Sequence, residues 1–213
     1  MRHTKHSQTD TPVVQRDDET FRLLYVCTGN VCRSPGAEIL TRHLLRGRLG
    51  GREAARIEVA SAGVRAVVGA PMHPESRAAL EPWALDTDHW SGDFRARQLS
   101  AGIVRDADLV LTASRKHRST VLTEFPEMLG VTFSLVEFAR LVSAVDATML
   151  PPDLVKRARA AVDAARAQRG LVPADGDDRI PDPIGGEPQD YRNATAMTFR
   201  AVVDVLDVIA PRS

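Results

Sequence analysis

Both cysteines of this 213-residue chain fall in one short stretch, VCTGNVCRSPGAE at residues 26–38, and the second is followed at once by Arg33 and Ser34. Five residues, Thr28, Gly29, Asn30, Val31 and Cys32, separate Cys27 from Arg33. A loop of that length leading into a helix presents free backbone N–H groups and a helix dipole, which together make an anion cradle. The planar guanidinium of Arg33 adds a fork of donors that grips two oxygens at once. The same field favours a thiolate, so Cys27 is expected to be a nucleophile at neutral pH, with the Ser34 hydroxyl as a further donor to its sulfur. The spacing therefore encloses one tetrahedral oxyanion with Cys27 beneath it.

Sulfur attack on phosphorus expels an alkoxide or phenoxide, which leaves poorly unless an acid protonates it. Asp182, in IPDPIGG, is the candidate acid. Pro181 and Pro183 restrict its backbone, and the following glycines let the loop turn back to the site. Once deprotonated, the same carboxylate can activate the water that releases the phosphoryl group. A plain turn or cap is the other role open to an Asp before Pro.

Other uses of the two cysteines fit less well. Their spacing is not that of a CxxC redox pair, and only His43 lies nearby as a further zinc ligand, so no metal and no cofactor is expected. His73, His89 and His117 are expected to be surface or packing residues rather than catalysts, and Trp83 with Trp90 to anchor a loop.

The elements that position these residues can be read from the periodicity. FRLLYVC, 21–27, is a short apolar run that suits a buried parallel strand ending at the cysteine. Ser34 can then cap a helix, Pro35 fits its first turn, and Ala37, Leu40 and Leu44 follow at helical spacing. RIEVASAG at 56–63 and ADLVLTAS at 107–114 read as further strands, VTFSLVEF at 131–138 as a fourth that runs into a helix, and Ser114 through Leu122 as a helix. Alternating strands and helices imply right-handed crossovers. The expected architecture is a three-layer, doubly wound α/β fold with a four-stranded parallel sheet and helices on both faces. Sheets of this kind bind ligands at their carboxyl edge, where Cys27 would stand.

Residues 1–20 are polar and aperiodic and are expected to form a mobile tail, ahead of a single domain over 21–213. That domain carries a helical insertion at about 146–175. Within it, PPDLVKRARAAVDAARAQRG at 151–170 shows a thin apolar stripe of Leu154, Ala158, Val162 and Ala165, with its arginines expected on a solvated face. Residues 171–188 are a loop rich in Pro, Gly and Asp, and Tyr191, Ala194, Thr198, Ala201, Val205 and Val208 mark a long final helix. The 28 basic and 28 acidic side chains balance, so nothing in the composition attracts nucleic acid or anionic lipid. No apolar run reaches membrane-spanning length and the start MRHTKHSQTD lacks a secretory core, so a cytoplasmic protein is expected. Oligomeric state leaves no mark in the sequence.

The Cys-X5-Arg-Ser loop near the N-terminus together with the late Asp-Pro resembles the low-molecular-weight protein tyrosine phosphatases. The resemblance extends to SAGV at 61–64, ARQLS at 96–100 and ADLVL at 107–111, and so covers most of 21–210. It implies Cys27 as nucleophile, Arg33 and the loop from Thr28 to Ser34 as phosphate binders, and Ser34 as the residue that tunes the thiolate. It further implies Asn30 as the holder of an unusual loop backbone and Asp182 as general acid. Cys32 matches the family's second loop cysteine, a redox partner able to capture an oxidised Cys27.

Several positions depart from the family pattern. Where relatives acting on phosphotyrosine wall a pocket with aromatics, this chain has Val67 or Val68 and Ile184 followed by Gly185. Asp-Pro followed by two glycines looks like a bacterial branch that includes protein-arginine phosphatases, yet Val31 stands where that branch carries threonine. Phe94 replaces a histidine that braces the loop asparagine in many relatives. The expected activity is hydrolysis of phosphomonoesters, foremost protein phosphotyrosine, through a phosphocysteine, with a phosphorylated protein or small phosphomonoester as partner. Alternatives are a protein-arginine phosphatase, an arsenate reductase using external thiols, and a non-catalytic oxyanion-binding redox sensor.

Overall fold

The structure, a computed structural model, describes residues 19–83, 89, 91–174 and 176–212. Most of the expected tail, residues 1–18, lies outside them, as does Trp90. Four strands, β1 (Phe21–Cys27), β2 (Ile57–Gly63), β3 (Leu109–Thr112) and β4 (Thr132–Ser134), form one sheet in the order β2-β1-β3-β4. All three pairings are parallel. Seven helices are described: α1 (Arg33–Ala54), α2 (Pro74–Ala78), α3 (Ala101–Arg105), α4 (Arg115–Glu124), α5 (Leu135–Ser143), α6 (Leu154–Ala167) and α7 (Pro188–Ile209). The expected three-layer, doubly wound arrangement is what the chain adopts.

Period-two alternation within β1 divides the core. Phe21, Leu23 and Tyr25 face one layer, with Leu109 and Leu111 of β3 and helices α5, α6 and α7. Leu24 and Val26 face the other, with Val110, Val104 of α3 and Val121 of α4. Phe21, Leu23, Leu109 and Leu111 are at most 1% exposed, so each contributes about 1.5–3 kcal/mol of burial energy. Tyr25 keeps its hydroxyl satisfied inside this layer through Thr41 Oγ1 at 2.8 Å.

The fourth apolar run splits as its sequence suggested. Ser134 ends β4 and caps α5 through a capping box with Glu137. Helix α6 buries Leu154, Ala158, Val162 and Ala165, together with Val155 and Ala161, in the same core as α5 and α7. Two of its arginines do not lie on a solvated face: Arg157 donates to Val208 O at 2.7 Å and Arg159 to Thr20 O at 3.0 Å, because both are half-buried over neighbouring backbone; Arg166 is exposed, as expected.

Candidate active site

Strand β1 ends at Cys27 on the carboxyl edge of the sheet, and residues 28–32 wrap from there into α1. The loop carbonyls are held outward. Those of Cys27, Thr28, Gly29 and Val31 accept from the amides of Val64, Arg65, Val67 and His73 at 2.8–3.0 Å, and that of Cys32 from Gly36. Among the described residues, the amides of Thr28 through Cys32 donate to no protein acceptor. Buried donors left open in this way, at the start of a helix, are those of an anion cradle. Gly63 makes the wrap possible, since a Cβ there would lie 2.5 Å from Thr28 O and 3.0 Å from Asn30 N.

Asn30 adopts φ 55°, the one positive φ at a non-glycine residue among those described. Three bonds hold it there. Its Nδ2 donates to Ser34 Oγ at 2.9 Å and to Ser61 Oγ at 2.8 Å, while its Oδ1 accepts from Arg97 N at 2.9 Å. Ser61 in turn donates to Glu38 Oε2 at 2.7 Å. Burial pushes the Glu38 carboxyl above its usual range, opposed by that hydroxyl and by Arg42 and Arg97. Phe94 packs against Ile39, Leu40, Met72 and Leu80.

Ser34 does not cap the helix. Arg33 is already helical and Cys32 occupies the cap position with no side-chain bond. The Ser34 hydroxyl lies 2.9 Å from Cys27 Sγ instead. Its oxygen accepts from Asn30, and its hydrogen has two acceptors in reach, the Cys27 sulfur at 2.9 Å and Ala62 O at 3.5 Å, of which a thiolate at the shorter distance is the stronger. Helix capping lost to this use because the first-turn amides are needed for the cradle.

Arg33 is buried and meets the late loop. Its Nη2 donates to Asp182 Oδ2 at 2.6 Å and its Nη1 to Ile180 O at 3.3 Å. The Ile180 amide is itself bonded to Ala113 O at 2.9 Å, which ties the Asp-Pro segment to the end of β3. Gly185, at φ 79°, completes the turn after Pro183. Arg33 and Asp182 are thus brought together across 149 positions of chain, at the end of the loop that starts at Cys27. Cys32 is a buried free thiol in a small cluster with Ala79 and Tyr191, and burial pushes it up to about 11.

His117 went unrecognised in the sequence as part of this site. Its Nε2 lies 2.8 Å from Thr28 Oγ1 and its Nδ1 2.7 Å from Ser114 Oγ. Burial, reinforced by the Arg33 charge, lowers its pKa to about 4, so the ring is neutral at physiological pH. The signal that would have found it is Ser-Arg-Lys-His after β3: a capping serine and a histidine three residues on, at a helix start on the carboxyl edge. His73 stacks on Tyr191 with ring centroids 5.0 Å apart, His89 is exposed, and Trp83 packs on Phe199.

The cleft beside the loop has a volume of about 700 Å3 and is lined by Thr28, Arg33, Val64, Arg65, His117 and Asp182, among others, with no Phe, Tyr or Trp. Val67, Val68 and Ile184 are all more than half exposed. No group of three potential metal-ligating side chains is found among the described residues, and no described helix is long and apolar enough to cross a membrane.

A parallel α/β sheet that delivers a cysteine into a loop of open amides, backed by a buried arginine and a facing aspartate, defines a cysteine-based oxyanion enzyme of the phosphatase type. The sequence model of the low molecular weight phosphotyrosine protein phosphatases matches residues 22–160. The chain belongs to that family. It is 32% identical over 115 residues to the probable low molecular weight protein-tyrosine-phosphatase EpsP of Ralstonia solanacearum, covering 54% of this chain and 70% of that one. It is also 32% identical over 132 residues to a protein-arginine-phosphatase of Geobacillus stearothermophilus, covering 62% and 78%. Among solved structures, it is similar to the low molecular weight protein tyrosine phosphatase of T. tengcongensis, with a TM-score of 0.63, 25% identity and coverage of 88% and 99%. The YwlE arginine phosphatase of Geobacillus stearothermophilus gives a TM-score of 0.61 at 27% identity, covering 88% and 91%.

Proposed function

We propose that this family member hydrolyses phosphorylated proteins or small phosphomonoesters, foremost phosphotyrosine, by way of a phosphocysteine at Cys27. The observation that supports the reading is the convergence of Cys27, the open amides of its loop, Arg33 and Asp182 at one end of the sheet. In the first step the Cys27 thiolate, stabilised by those amides and the Ser34 hydroxyl, attacks phosphorus. The phosphorus–oxygen bond to the leaving group breaks, and Asp182 gives that oxygen its proton. Arg33 exchanges its bond to Asp182 for two oxygens of the phosphoryl group, which carry charge in the transition state. In the second step Asp182, now a carboxylate, takes a proton from water as the water attacks phosphorus. The sulfur leaves as thiolate and inorganic phosphate is released. Cys32 supplies the thiol that would capture a Cys27 sulfenic acid as a disulfide, with loss of water.

A phosphoarginine substrate is the second reading, favoured by the resemblance to the Geobacillus arginine phosphatase. Val31, in place of threonine, weighs against it.

The deciding experiment measures aryl phosphate hydrolysis without added metal and intercepts the intermediate by rapid acid quench. Wild type should turn over and show a covalent phosphoryl adduct on Cys27, and Cys27→Ser should be inactive. Turnover that survives Cys27→Ser would refute the proposal.

A further inference from the structure

The cleft of about 700 Å3 is several times larger than a phosphate group, so it also receives what flanks the phosphorylated side chain. Its lining offers no Phe, Tyr or Trp for stacking, and charge dominates instead. Three of its cations carry their own carboxylate: Arg33 with Asp182 at 2.6 Å, Arg115 with Asp178 at 2.6 Å and Arg179 with Asp177 at 3.0 Å. Arg65 and Lys116 line the same cleft, are exposed, and make no ion pair among the described residues.

Both cations are fixed close to the loop at the level of the backbone. The Arg65 amide donates to Thr28 O at 3.0 Å. Lys116 precedes His117, whose ring reaches Thr28 Oγ1 at 2.8 Å. Their charges are felt at that ring, where each opposes protonation. The phosphate is met by Arg33 and the loop amides, so these two positive charges are left over at the mouth. They attract a second anion and repel a cation.

We propose, on the phosphatase reading above, that Arg65 and Lys116 select phosphoproteins in which acidic side chains flank the phosphorylated residue. The same arrangement disfavours a phosphorylated guanidinium. Such a group carries positive charge beside its phosphoryl group, and the two exposed cations repel it. Exposed charge pairs are individually weak, and each cation is expected to contribute about three- to fivefold in kcat/KM toward an acid-flanked peptide. Salt screens charges at this range, so the preference should shrink as ionic strength rises.

The test compares three phosphotyrosine peptides identical except for Asp, Ala or Lys on both sides, at low and high salt. It is run with wild type, with the Arg65→Ser, Lys116→Ser double variant, and with Lys116→Glu. The readout is the ratio of kcat/KM between peptides within each enzyme, so a general loss of activity in a variant drops out. Wild type should prefer the Asp-flanked peptide to the Ala-flanked one by about tenfold at low salt. The double variant should lose that ratio, and so should Lys116→Glu, whose new carboxylate offsets Arg65. Equal rates on all three peptides in wild type, or a ratio that survives in the double variant, would overturn the inference and leave the phosphatase reading standing. Preferred turnover of a phosphoarginine peptide would overturn it as well. Hydrolysis of none of the peptides would refute the phosphatase reading, and the selectivity with it.

Discussion

In the ligand-free site Asp182 sits where substrate must displace it. Its Oδ2 is 2.6 Å from Arg33 Nη2, with the Arg33 side chain 6% exposed and that of Asp182 48% exposed. A hydrogen bond between charged groups contributes about 1.5–3 kcal/mol when shielded, and half exposure of the carboxylate brings this nearer to about 1 kcal/mol. An oxyanion that binds Arg33 must give up that amount, equivalent to about fivefold in Kd. Asp182→Ala should therefore bind sulfate about fivefold more tightly than wild type, measured by calorimetry, even as it loses activity. The lost activity should depend on the leaving group, falling about 100- to 10,000-fold for phenyl phosphate and far less for dinitrophenyl phosphate, which departs without a proton. Sulfate affinity that stays the same or weakens would refute the competition between Asp182 and the oxyanion. An equal rate loss on both esters would refute the role of Asp182 as acid.

Three further outcomes are expected. His117 has its pKa lowered from 6.5 to about 4, so the folded protein prefers the neutral ring and the unfolded chain binds more protons between those values. Stability should fall as pH drops from 6.5 toward 4, by at most about 2–3 kcal/mol, and denaturant titrations of His117→Asn should show a shallower fall. Asn30→Ala removes three bonds and places a Cβ-bearing residue without side-chain support at φ 55°; it should lose about 2–4 kcal/mol in chemical denaturation, and Asn30→Gly should recover part of that. Peroxide-treated wild type should regain activity with dithiothreitol. Cys32→Ser should not, because its Cys27 sulfenic acid has no neighbouring thiol and proceeds to sulfinic acid.

Much of the frame was legible because it rests on local rules. Strand β1 was readable to the residue, since its apolar run is bounded by Thr20 and Thr28. The stripes of α6 and α7 were readable because helical period and burial coincide there. The reactive loop was legible because its chemistry lies within seven consecutive residues. The Ser34 hydroxyl was read both as a partner of the Cys27 sulfur and as a helix cap; it lies against the sulfur, and the cap does not form, because the neighbouring sulfur and Asn30 hold it. Arg157 and Arg159 of α6 were misread because the carbonyls that receive them belong to segments distant in sequence.

By itself, then, the order of residues determined the period of each element, the composition of the cradle and the position of the proposed nucleophile. Each of these follows from side-chain chemistry and spacings of a few residues. Only the tertiary structure decided that Asp182 bonds Arg33 from 149 positions away, that His117 touches Thr28 from 89 positions away, and that Arg65 and Lys116 are left without carboxylates at the mouth. Those outcomes depend on the strand order β2-β1-β3-β4, which collects the loops after β1, β2 and β3 at one edge of the sheet. Short-range periodicity carries no information about which strand lies beside which. Burial of both sheet faces sets that order, and with it the electrostatics of the site.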